Sequence, residues 1–77
     1  MTIAHQIEAV RFSDHDLLMQ IDGKPYRFEL KNISEKLLAA KAWQRNLYII
    51  SPSGYGIQWT LIDEDLSIDG LLKLAEQ

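Results

Sequence analysis

No residue of the sequence is a cysteine, prolines number two and glycines four, and Lys and Arg together (8) fall short of Asp and Glu (11). Without thiols there is no disulfide staple and no thiolate zinc site. That composition suits a reducing compartment, and the cytoplasm is the expected location. The basic residues Arg11, Lys24, Arg27, Lys31, Lys36, Lys41, Arg45 and Lys73 are spread along the chain with no dense cluster. Phosphate neutralisation dominates nucleic-acid affinity, so direct binding to DNA or RNA is not expected of a chain with net charge −3. No apolar run approaches the ~18 residues a membrane span requires. The opening Met1-Thr2-Ile3-Ala4-His5-Gln6 lacks the basic-then-apolar order of an export signal.

What is present is a globular composition on a small scale. An apolar fraction of 47% is too high for a disordered chain. At 77 residues the sequence is read as one domain, residues 1–77, close to the size at which a single core is barely sufficient. Such a domain buries about 60% of its unfolded surface, and its core alone supplies roughly 3–5 kcal/mol. A partner chain, a second copy of this one included, is therefore an expected source of further buried area.

Residue periodicity gives the element order. Ile7–Phe12 reads as a strand with Val10 and Phe12 on one face, and Ser13-Asp14-His15-Asp16 as the turn after it. Leu17–Ile21 is a short apolar run ended by Asp22-Gly23, a hairpin signal because a type I′ turn needs positive φ at both positions. Tyr26, Phe28 and Leu30 then alternate with Arg27, Glu29 and Lys31, the pattern of a strand with one wet face. The period changes at Asn32-Ile33-Ser34-Glu35, a capping-box variant, and a helix is predicted from Ser34 to Trp43. Leu47–Ile50 and Ile57–Leu61 read as strands joined by Pro52–Gly56, and Ser67 as the cap of a last helix with Asp69 near its positive end. The expected fold is α+β in two layers, a mostly antiparallel sheet of about five strands with two helices in the order β-β-β-α-β-β-α.

Chemistry is harder to find. Asp63-Glu64-Asp65 could hold a hard cation or act as acid and base. The series Asp63, Asp65, Ser67, Asp69 opens like a calcium loop. Ile68 then stands at the sharp-turn position where glycine belongs, and Leu74 where a bidentate Glu belongs. Capping and the helix dipole account for the same acids. His5 and His15, the two histidines, have no partner at a metal-ligand spacing, and His15 lies between two aspartates in a turn. There is no Gly-x-Ser-x-Gly elbow, and Ser51-Pro52-Ser53-Gly54-Tyr55-Gly56 has no lysine for a phosphate loop. Trp59 shares a strand face with Ile57 and Leu61, which points to core packing. An alternative joins Tyr55 and Trp59, with Trp43, in a contact surface, since aromatics are enriched in interface hot spots.

The run from Ser51-Pro52-Ser53-Gly54-Tyr55-Gly56-Ile57-Gln58-Trp59 through Leu61-Ile62-Asp63-Glu64-Asp65-Leu66-Ser67-Ile68-Asp69-Gly70-Leu71-Leu72 resembles the signature of a bacterial family, domain of unknown function 2442. The resemblance extends upstream to the Asp22-Gly23 hairpin, the strand ending at Leu30 and the Ile33-Ser34 helix start. Thr60 departs from it, because family members usually carry proline after the tryptophan. The resemblance implies a small α+β fold and no established catalytic residues or cofactor. Some members carry a helix-turn-helix domain after this module and others are encoded beside a small toxin-like protein, arrangements that imply an antitoxin-like or regulatory role. This chain ends at Gln77 without such an extension, so a transcriptional role is expected to need another protein. The reading adopted from the sequence is a non-enzymatic protein-interaction module whose surface includes Tyr55, Trp59, Asp63, Glu64 and Asp65, with no metal and no cofactor. The expected partner is a small basic protein. The alternative is a small-molecule or metal-binding domain built on the Gly54–Asp65 segment.

Overall fold

The structure, a computed structural model, describes residues 4–76; residues 1–3, part of the stretch read above for an export signal, and residue 77 lie outside the described residues. Strands β1 (Ile7–Phe12), β2 (Asp16–Ile21) and β3 (Lys24–Glu29) form one antiparallel sheet in that order. Three short helices follow: α1 (Leu30–Ile33), α2 (Glu35–Ala39) and α3 (Ala42–Arg45). Strands β4 (Ile49–Ile50), β5 (Gly56–Trp59) and β6 (Glu64–Ser67) make a second antiparallel sheet, and helix α4 (Ile68–Ala75) closes the chain.

The first sheet follows its sequence signals closely. Asp22 and Gly23 have φ of 53° and 83°, the two positive values that a type I′ turn requires. That turn sets the β2–β3 register Leu17↔Phe28, Met19↔Tyr26, Ile21↔Lys24. One face therefore carries the buried Leu17, Met19, Ile21 and Phe28, and the other carries Arg27 and the half-buried Leu18. Between Glu8 and Arg11 the β1 register shifts, with Ala9 at φ 54°. This bulge lets Phe12 come opposite Leu17 on the core side.

The second half departs from expectation. The single helix expected over 34–43 starts after Ser34 (φ −164°, ψ 108°) but is broken at Ala40 and Lys41, which are extended. Ser34 is extended because it caps: its Oγ accepts the Leu37 N–H at 3.1 Å, satisfying a donor the helix start leaves free. The predicted strand 26–31 ends at Glu29, where Leu30 opens α1. The predicted strand 57–61 ends at Trp59, and a single 3-10 turn, Thr60–Ile62, reverses the chain. Thr60 is the first residue of that turn, where a proline also fits because its N–H has no partner within the turn. Two of the three acids, Glu64 and Asp65, then open β6, an element absent from the predicted order. The fold is α+β as expected, but among the described residues it has six strands in two three-stranded sheets and four short helices, rather than one sheet of five with two helices.

Both sheets and the helices share one core: Leu17, Met19, Ile21, Phe28, Leu30, Leu37, Ile57, Trp59, Ile68 and Leu71. Trp59 is its largest fully buried side chain. The Phe12 ring meets it edge-on at 6.3 Å between centroids, and Tyr48 lies 6.2 Å away, so aromatic contacts join the sheets.

Candidate functional site

The structure separates the three acids. Alternation along β6 puts Glu64 on one face and Asp65 on the other. Glu64 faces inward: its Oε2 accepts the Ser34 hydroxyl at 2.6 Å and its Oε1 accepts the Asp65 N–H at 3.0 Å. It therefore ties β6 to the cap of α2. Asp63 ends the 3-10 turn in the left-handed region (φ 53°), and its carbonyl accepts Lys36 Nζ at 2.8 Å. Asp65 points outward, and among the described residues no cation lies within ion-pair distance of it. Among the described residues no three His, Asp or Glu side chains are arranged to hold a metal ion.

The two aromatics part company as well. Tyr55 is 53% exposed, in keeping with a surface role. Trp59 is 0% exposed and its Nε1–H donates to the Arg45 carbonyl at 2.9 Å, so it has no atom to offer a partner. Its inclusion in the contact surface is corrected: the inward set of β5 takes Ile57 and Trp59 together, and the hydrogen bond fixes the indole there. Trp43 is exposed on α3.

The outer face of the second sheet presents what remains. Ile49 of β4, Gln58 of β5 and Asp65 of β6 are opposite one another in register. With Tyr55, Ser51 and Ser67 they line an open groove of about 490 Å³. Ile49 is 61% exposed, a large aliphatic side chain in water two strands across the sheet from the Asp65 carboxylate. The loop bearing Tyr55 is shaped by Ser51, whose Oγ accepts the N–H groups of Tyr55 and Gly56, both at 3.1 Å.

Two residues escaped the sequence reading. Arg45, which the sequence showed only as one of the scattered basic residues, is buried with a relative exposure of 8%. Its guanidinium donates to the carbonyls of Leu37 (2.9 Å), Leu38 (3.0 Å), Ser13 and Asp14 (both 3.1 Å), and lies 5.7 Å from the centre of the Phe12 ring. His5, read as having no partner at a metal-ligand spacing, has an 8% exposed side chain between two carboxylates, with Nδ1 2.8 Å from Asp22 Oδ2 and Nε2 2.8 Å from Asp69 Oδ1. The hydrogen bond to Asp22, then that to Asp69, raises the His5 pKa above 6.5 against the opposing effect of burial. The Gln6 N–H first, and then His5, hold the Asp22 carboxyl below its ordinary value. No local pattern announces these contacts, since the partners lie 17 and 64 residues along the chain.

The His5 segment is seated by its backbone as well. Its N–H donates to the Ser53 carbonyl at 3.0 Å, and Asp22 N–H to the Gln6 carbonyl at 2.9 Å. Gly54 beneath it has φ +69°, and a Cβ there would sit 1.8 Å from the His5 carbonyl oxygen. Only glycine satisfies both constraints. The Gly54-Tyr55-Gly56 motif thus shapes the chain's own packing.

No curated protein and no solved structure matches this sequence. Residues 7–77 match the family described as protein of unknown function (DUF2442), a span that takes in both sheets, Arg45 and the Gly54–Asp65 segment, and the chain belongs to that family.

Proposed function

We propose that the chain is a non-enzymatic protein-interaction module that takes a basic, aliphatic-bearing segment of another protein on the outer face of β4–β6. One observation carries this reading: exposed Ile49 and Tyr55 line the same groove as Asp65, which has no ion-pair partner among the described residues. A cation from the partner meets Asp65, while an aliphatic or aromatic side chain covers Ile49. Such a mixed apolar and charged contact is the usual make-up of a protein interface. The net charge of −3 favours encounter with a basic partner. A small basic protein of the toxin-like kind fits this chemistry, and the chain would neutralise or regulate it by occupying its surface. The placing of Glu64 and Asp65 on opposite faces of β6, with Asp63 outside that strand, supports a non-catalytic role.

The test is selection from a random dodecapeptide library displayed on phage, followed by binding of recovered peptides to Ile49→Asp and Asp65→Lys variants. Peptides rich in Arg or Lys beside aliphatic residues are expected, and each substitution is expected to weaken them at least tenfold. Recovery of binders that ignore both substitutions, or of none, would overturn the assignment. Self-association in sedimentation that Ile49→Asp abolishes would replace the basic partner by a second copy of this chain.

A further inference from the structure

A neutral imidazole carries one N–H, yet both nitrogens of the His5 ring lie 2.8 Å from carboxylate oxygens. With one proton missing, a ring lone pair would face an anionic oxygen at hydrogen-bonding distance. Only the imidazolium donates on both edges.

What those two bonds join is the important point. Asp22 belongs to the β2–β3 turn and Asp69 to the first turn of α4. Between them the His5 backbone lies against Ser53 and Gly54, and the Ile68 N–H at the α4 start donates to the Tyr55 carbonyl at 2.9 Å. The loop carrying Tyr55 is thus enclosed by the His5 segment on one side and α4 on the other. We propose that protonated His5 clamps the Ser51–Gly56 loop between the β2–β3 turn and α4, and that loss of this proton releases the loop.

The charges facing the ring agree with this. The β2–β3 turn contributes the Asp22 carboxylate. Helix α4 contributes the Asp69 carboxylate, which offsets the positive helix end that would otherwise oppose a cation. The loop contributes the Ser53 carbonyl and a glycine, neither ionisable. Both carboxylates favour the charged ring, and its pKa is raised accordingly. The clamp is therefore closed where His5 is protonated and Asp22 ionised, and it opens as pH rises through the raised His5 pKa of the folded chain. Its use as a regulator of the Tyr55 groove rests on the interaction reading above; the clamp itself does not.

The experiment is an NMR titration of the intact chain, following the His5 ring nitrogens and the exchange of the His5 and Ile68 amides. Expected are a midpoint above 6.5, protons on both ring nitrogens below it, and loss of amide protection through it beyond the intrinsic base-catalysed increase. Asp69→Asn, which keeps the ring and Asp22, should lower the midpoint, and so should Asp22→Asn. His5→Gln should remove the transition. A midpoint at or below 6.5, or amide protection unchanged across it, would refute the clamp. Because no peptide enters these measurements, failure here leaves the docking groove standing, and failure of peptide selection leaves the clamp standing.

Discussion

Two polar junctions hold this small fold together, and they are built on opposite principles. At Arg45 a guanidinium is buried with no carboxylate within ion-pair distance among the described residues, its charge met by four backbone carbonyls and the Phe12 ring. At His5 an imidazole meets two carboxylates that are themselves half open to water, with side-chain exposures of 51% and 62%. Arginine does not lose its proton in proteins, so the first junction is indifferent to pH. Histidine changes charge near neutrality, so the second is conditional. The inner junction joins α2 and α3 to the β1–β2 turn, and through the Arg45 carbonyl it seats Trp59. The outer one gathers a surface loop, a hairpin turn and a helix start. Stability is invested in the permanent junction, and adjustability in the other.

The sharpest way to break this contrast is at the inner junction. Trp59→Ala removes the largest buried side chain, at an expected cost of about 3–5 kcal/mol. For a domain of this size, with stability near the ~5 kcal/mol lower end of the usual range, that leaves roughly 0–2 kcal/mol and unfolds up to about half of the population, as urea titration by circular dichroism would show. Arg45→Met keeps much of the volume but leaves four carbonyls without their donor. A loss of about 3 kcal/mol is expected, the same at every pH from 5 to 8; a pH-dependent loss would deny the division drawn here.

Gly54→Ala acts on the outer junction without touching a titratable group. It combines an unfavourable positive φ with overlap against the His5 carbonyl, so it should cost more than about 1 kcal/mol. The loss should appear first as exchange of the His5 amide. Smaller still is the pH effect of the clamp. Because the His5 pKa is raised on folding, its contribution is complete below 6.5 and fades as pH climbs through the folded value. Asp22 has the opposite sign: its contribution holds above 3.8 and is lost as pH falls through its lowered value. Thermal melts should therefore pass through a maximum between these limits, and His5→Gln should flatten the alkaline side. Least costly are Ile49→Asp and Asp65→Lys, which should change stability by no more than about 0.5 kcal/mol while abolishing peptide capture.

What the sequence disclosed follows the range of the interaction concerned. Asp22-Gly23 named its own turn, the alternation in β3 named its wet face, and Ser67 named the α4 cap, where its Oγ accepts the Gly70 N–H at 3.1 Å. Each depends on neighbours a few residues apart. The helix over 34–43 failed because good helix formers were outvoted by contacts from elsewhere: Ser34 answers to Glu64, and Arg45 gathers the carbonyls of Leu37 and Leu38. The acids looked like a run, but Asp63 ends a turn while Glu64 and Asp65 alternate across a strand, and β6 was missed because its opening acids are not residues that favour one. Tyr55 and Asp65 were legible as surface groups. Trp59 was equally legible as core, and packing decided it.

The bond between residues 5 and 69 closes almost the whole chain into one ring. Closing so long a loop is entropically the dearest contact in the molecule, and it gains only what two carboxylates and a slot of backbone provide. During refolding it should therefore dock after both sheets have formed, and under native conditions it should detach and return many times for each global unfolding event. Part of this domain thus behaves as a latch whose lifetime is set separately from that of the frame it fastens.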